Sequence, residues 1–130
     1  MRRALLWVAC GFTALFTLGH STGTYRSPRP GAQAAVAETM RSVHFDLFGA
    51  ERTYLELFHG YGVIIIGVAA FLTVLIWMLS RLDPRQARPL LLAISARQFL
   101  FAWVGFADFF WAPGLFNAIS ALSVLAAALL

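Results

Sequence analysis

An all-α fold, a bundle of four transmembrane helices with a short helix in the long connection between the first and second, follows from three observations. The chain is 60% hydrophobic and only 12% charged, whereas soluble domains carry about a quarter charged residues. Its apolar residues gather in four blocks, residues 4–19, 57–79, 90–111 and 114–130, each near the ~20 residues that cross ~30 Å of hydrocarbon. No block alternates polar with apolar residues, and in lipid a backbone without strand partners must satisfy its polar groups within a helix. Residues 1–130 therefore read as a single integral membrane domain, with the lipid bilayer as its first partner.

The opening MRRALLWVACGFTALFTLG has the basic start and apolar core of a signal peptide. The nearest small-x-small site, Ala32 to Ala34, lies well past that core, so an uncleaved first helix is expected. Cys10 is the only cysteine. It permits no internal disulfide and no multi-cysteine metal site, and reads as a small buried apolar residue.

The long connection divides in two. Its first part, STGTYRSPRPG, holds Pro28, Pro30 and two glycines and opposes a helix. From Ala32, the stretch AQAAVAETMRSVHFDLF places Val36, Met40, Val43 and Leu47 at spacings of three and four. That pattern predicts an amphipathic helix on or re-entering the membrane surface, broken or bent at Gly49. The second connection, SRLDPRQARP, is short and punctuated by Pro84 and Pro89. The third is little more than Ala112–Gly114, so the last two helices should form an antiparallel hairpin.

Charge placement bears on orientation and on partners. Arg2, Arg3, Arg81, Arg85 and Arg88 fall on one side against Arg26, Arg29, Arg41 and Arg52 on the other. The positive-inside rule then makes a multi-pass protein of the cell inner membrane with N- and C-termini cytoplasmic. Trp7 and Trp77 mark one interface, while Tyr25, Tyr54 and Trp111 mark the other. The net charge of +4 is scattered between apolar blocks rather than clustered on one face, which argues against a nucleic-acid partner.

The stretch HFDLFGAERTYLELFH, His44 to His59, packs six ionisable groups against the second apolar block. Continued as helix, it would bring Arg52, Glu56 and His59 within about 60° on one stripe. Glu56 and His59 form one Glu-x-x-His pair, but a di-iron bundle needs two such pairs and further carboxylates, so no metal is assigned. If the helices alternate, His20, His44, Glu51 and Asp108 reach the same membrane level. His20, His44, Glu51, Arg52, Glu56, His59 and Asp108 are therefore the candidate ligand-binding set. Asp108 should pair with Arg52, or else with His20 or His59, because an isolated carboxylate at that depth protonates or disrupts insertion. Arg97, eleven residues earlier and about 16 Å away along the helix, sits nearer the cytoplasmic end and either snorkels outward or faces the bundle. Gly60 and Gly67 on the second helix, with Ser120, Ser123 and the alanines of the fourth, suit close helix packing in lipid.

With GFTALFTLGHSTG in its first helix, MRSVHFDLFGAERTYLELFHGYG entering its second and two closely linked terminal helices, the whole chain resembles small bacterial four-helix membrane proteins of DoxX-like type. The resemblance implies a four-helix inner-membrane fold. Some DoxX-like proteins are associated with quinone or thiol redox systems, but no redox cysteine pair or haem-ligand pattern here carries that activity across, and the cofactor is unknown. The expected function is a binding or accessory role, with a polar extracytoplasmic pocket recognising a small molecule, a lipid or a partner protein, the last including a second copy. The alternative is a membrane enzyme using Glu56, His59 or Asp108 for proton transfer on an amphiphilic substrate. A small multidrug-type exporter fits worst, since the first helix lacks the embedded acid that couples such exporters to protons.

Overall fold

The computed structural model describes residues 1–130. Its elements run α1 (Arg2–Tyr25), α2 (Ala32–Ser42), β1 (His44–Leu47), β2 (Ala50–Thr53), α3 (Tyr54–Leu79), α4 (Pro84–Asp108) and α5 (Trp111–Leu129). Four of these helices, α1, α3, α4 and α5, are long and apolar enough to cross a membrane, the arrangement of a multi-pass membrane protein. The short helix expected between the first two spans is α2.

Most helix ends move outward from the apolar blocks because hydroxyls and caps carry helix into polar sequence; α4 instead stops at Asp108, so the connection is Phe109 and Phe110, and Ala112–Gly114, expected as the turn, belong to the start of α5. In α1, Thr13, Thr17 and Thr22 donate back to the carbonyls of Ala9, Thr13 and Gly19, each at 2.8 Å. Such back-bonding lets hydroxyl side chains stay helical without an external partner, and α1 continues to Tyr25 before Pro28 and Pro30 stop it. Helix α4 begins six residues before Leu90 because Asp83 caps it, accepting from the Arg85 N–H at 2.9 Å, with Pro84 at the first helical position.

The larger departure lies after α2. The amphipathic helix expected to run to Phe48 ends at Ser42, and an antiparallel hairpin follows with Phe45 opposite Arg52 and Leu47 opposite Ala50. Its two-residue turn is Phe48 (φ 54) and Gly49 (φ 86); two positive φ values are what a type I′ turn requires. The Gly49 N–H is held by Asp46 Oδ1 at 3.1 Å. A helix cannot pass through this turn, and the Phe45 ring instead packs on Tyr54 at 4.8 Å between centroids.

Two compact units make up the chain: Met1–Leu18 with Val68–Leu130, and Gly19–Gly67. In the first, four helices share one apolar core, formed by Leu6, Ala9 and Cys10 of α1, Leu72, Ile76 and Leu79 of α3, Ala87, Leu91 and Ile94 of α4, and Val124, Ala127 and Ala128 of α5. Arg2 ties its edge, donating to the carbonyls of Leu79 and Leu82 at 3.2 Å each, where the end of α3 leaves acceptors unpaired. Helices α4 and α5 are close at Gly105, where a β-carbon would sit 2.6 Å from the Gly114 nitrogen. Large apolar side chains such as Leu15, Phe71, Leu100 and Trp103 remain exposed on the helices, as suits a surface whose solvent is lipid.

In the second unit, the last turns of α1 pack on α3 through Gly62, where a β-carbon would lie 2.5 Å from Thr24 Cγ2. Helix α2 buries none of its residues. Its Val36 is 59% exposed, so no apolar core holds this helix in place.

Candidate functional site

Six of the seven expected site residues lie in the Gly19–Gly67 unit, and local structure has already committed several of them. Glu56 is the clearest case. Its Oε2 accepts from the Thr53 N–H at 2.7 Å, while the Glu56 N–H donates to Thr53 Oγ1 at 3.2 Å. This reciprocal pair is a capping box: it satisfies two orphan donors and starts α3 at Tyr54. The Thr53-x-x-Glu56 spacing was present in the sequence as its signature.

Arg52 therefore does not extend α3, and the expected stripe of Arg52, Glu56 and His59 is not formed. Arg52 belongs to β2, and its Nη1 donates to the Glu51 carbonyl at 2.8 Å. His44 and Glu51 do come together, His44 Nδ1 lying 3.1 Å from Glu51 Oε1 diagonally across the hairpin. Both side chains are exposed, and such pairs contribute about 0–1 kcal/mol. His20 is half-buried on α1, one turn from Thr24, and hydrogen-bonds the backbone of Gly62.

Asp108 belongs to the other unit. It is the last residue of α4 and is exposed. Within the units the ion pairs are Arg41 with Glu38 and His44 with Glu51; the expected pairing of Asp108 with Arg52, His20 or His59 would join residues of different units. Nor do three His, Cys, Asp or Glu side chains gather anywhere as a metal would need.

His59 has a different setting. It lines an open cleft of about 520 Å³ within the Gly19–Gly67 unit. Val36 and Met40 of α2 with Leu55 and Phe58 of α3 give apolar walls, and Arg26, Arg41 and His59 supply cationic or polar groups. Arg41 is engaged by Glu38 at 3.0 Å, whereas Arg26 enters no ion pair. A volume of this size falls in the usual range for small-ligand sites.

A second polar feature lies in the four-helix unit. Gln98 is fully buried, with Thr13 and Ser120 at 2% or less exposure. Its amide nitrogen donates to Thr13 Oγ1 at 3.1 Å and to Ser120 Oγ at 2.9 Å, and its oxygen accepts from Arg97 Nη1 at 2.6 Å. Arg97 can only donate, which fixes the amide orientation and leaves both amide protons for the hydroxyls. Thr13, Gln98 and Ser120 each sit within about two residues of the middle of α1, α4 and α5, so the three helices are joined at mid-height. Arg97 adjoins this layer, about 10 Å along α4 from Leu90 and about 16 Å from Asp108, and it faces the bundle through its bond to Gln98. A central arginine costs about 3 kcal/mol on insertion scales unless it is accommodated. Here Arg97 also stacks over Phe101, its guanidinium carbon 3.6 Å from the ring centroid.

Comparison with family models, curated proteins and solved structures finds no match for this chain. Its chemistry is therefore read from the cleft and the central polar layer.

Proposed function

We propose that this chain is a binding or accessory protein of the bacterial inner membrane, of DoxX-like type, that takes an anionic amphiphile in the cleft of α1, α2 and α3. The observation that carries the reading is the pairing of an apolar wall, Val36, Met40, Leu55 and Phe58, with Arg26 and His59 in one 520 Å³ cleft. An acyl chain suits the wall and an acidic headgroup suits the arginine. Helix α2, amphipathic and without buried residues, is held by no core of its own and so is free to adjust over a ligand at the interface. In this reading both termini are cytoplasmic and the cleft opens toward the extracytoplasmic face.

The test uses the purified chain in detergent with pyrene-labelled phosphatidylglycerol and pyrene-labelled phosphatidylcholine. Wild type should prefer the anionic probe; Arg26→Glu should remove the preference, and Met40→Trp, which fills the cleft, should weaken both probes at least tenfold. Equal binding of the two probes, unchanged by either substitution, would sink the reading. Cysteine labelling in a Cys10-free variant checks orientation: Ser27 should react from outside and Gln86 from inside.

A further inference from the structure

Arg97 lies about 10 Å along α4 from Leu90 and about 16 Å from Asp108, deep in any bilayer the helix crosses. Its Nη1 is satisfied by Gln98, but its Nη2 is buried with no hydrogen-bond partner in the protein. No acidic residue stands on α4 between Pro84 and Ala107, and Arg97 is in no ion pair. Glu38, Asp46 and Glu51 lie in the connection, Glu56 in the first turn of α3, Asp83 at the cap of α4 and Asp108 at its end. The positive charge is thus held by hydrogen bonding and ring stacking without an opposite charge.

Arg97 also occupies the centre of a regular seam. Leu90, Ala93, Arg97, Leu100 and Val104 follow spacings of three, four, three and four, the pattern by which one helix receives another in left-handed packing. Leu90 and Leu100 are 49% and 54% exposed, Ala93 is exposed, and Arg97 and Val104 are partly exposed. The small Ala93, one turn from Arg97, leaves room for a neighbouring backbone.

We propose that this flank of α4 receives a transmembrane helix of a different protein, carrying an Asp or Glu near its midpoint that pairs with Arg97 when the guanidinium turns outward from the position in which its Nη2 is covered. Charge complementarity selects this occupant. A two-fold pairing of identical copies through the seam would set Arg97 against Arg97, and a second copy has no mid-helix acid to offer. The nearer lipid headgroups lie about 10 Å along the helix from Arg97, on the Leu90 side, whereas its guanidinium is turned the other way, over Phe101. The site is separate from the cleft of α2 and stands or falls without it.

The experiment reconstitutes the full chain in phosphatidylcholine vesicles with synthetic 23-residue Leu/Ala helices carrying a central Glu, a central Gln or neither, and reads association by energy transfer from a dye at Gln86→Cys in the Cys10-free protein. The central-Glu helix should bind at least tenfold more tightly than the Leu/Ala helix, with the Gln helix between. Arg97→Leu should abolish the preference. Ala93→Phe, which leaves the Arg97–Gln98 bond in place, should weaken binding of the Glu helix severalfold and so separates a blocked seam from a misfolded bundle. Equal binding of the three helices, or a Glu preference that survives Arg97→Leu, would overturn the proposal. So would disulfide cross-linking between copies at Ala93→Cys, which would assign the seam to self-association.

Discussion

Gln98 donates to Ser120 across 2.9 Å and thereby joins the middle of α4 to the middle of α5, with Thr13 of α1 on the same amide. Ser120→Ala removes one neutral hydroxyl partner and should cost about 0.5–1.5 kcal/mol, the range for hydrogen bonds between membrane helices. Gln98→Leu also strips Arg97 of its acceptor, and bonds to charged groups are stronger, so a loss of about 2–3 kcal/mol is expected. Unfolding in mixed detergent micelles with increasing dodecyl sulfate would rank the two; a Gln98→Leu chain as stable as wild type would deny the layer any structural role.

Close helix approach makes a second outcome sharp. Gly105→Ala would place its β-carbon 2.6 Å from the Gly114 nitrogen and 2.8 Å from its α-carbon, both backbone atoms that cannot swing aside. The α4–α5 pair must then separate, at about 1–3 kcal/mol for overpacking. Gly67→Ala is the control, since nothing lies within 4 Å of the added carbon, and it should be neutral or stabilise by up to about 1 kcal/mol through helix propensity. The same micelle titration measures both.

Glu56 should behave as a cap. Gln also serves at this position of a capping box, so Glu56→Gln should leave α3 close to wild-type stability, whereas Glu56→Ala leaves the Thr53 N–H without its acceptor and should loosen the first turn of α3. Hydrogen exchange at the Thr53 amide reads this directly: faster exchange in the alanine variant, little change in the glutamine one. A strong effect of Glu56→Gln on probe binding with unchanged exchange would restore Glu56 to the ligand site.

The hairpin tip carries a residue ill suited to its backbone. Phe48 holds a positive φ of 54 with its side chain fully exposed, where Asn is far better tolerated. Phe48→Asn should stabilise the hairpin in detergent, since Asn tolerates the left-handed region better than Phe. Weaker binding of the stabilised variant to phosphatidylcholine vesicles would mark Phe48 as a membrane-interface anchor retained despite the strain.

Sequence alone determined the four helices, because an apolar run near bilayer length has one way to satisfy its backbone in lipid, and that constraint is local to each segment. The short α2 was legible for a similar reason, in the helix formers that follow Pro28 and Pro30. The hairpin was less so. Val43 and Leu47 continue a helical spacing, and only the left-handed turn at Phe48 and Gly49, with the fresh cap at Thr53, decided against it. That local choice dissolved the expected stripe of Arg52, Glu56 and His59, since helical spacing says nothing once one member stands on a strand. Tertiary structure alone decided that Thr13, Gln98 and Ser120 meet. Hydroxyls and an amide scattered over 107 positions have no pattern in the sequence, and their partnership arises only when three helices are packed at a shared height. Arg97 could be seen as costly from its sequence position, but only the packed helices show that one of its nitrogens is buried without a partner.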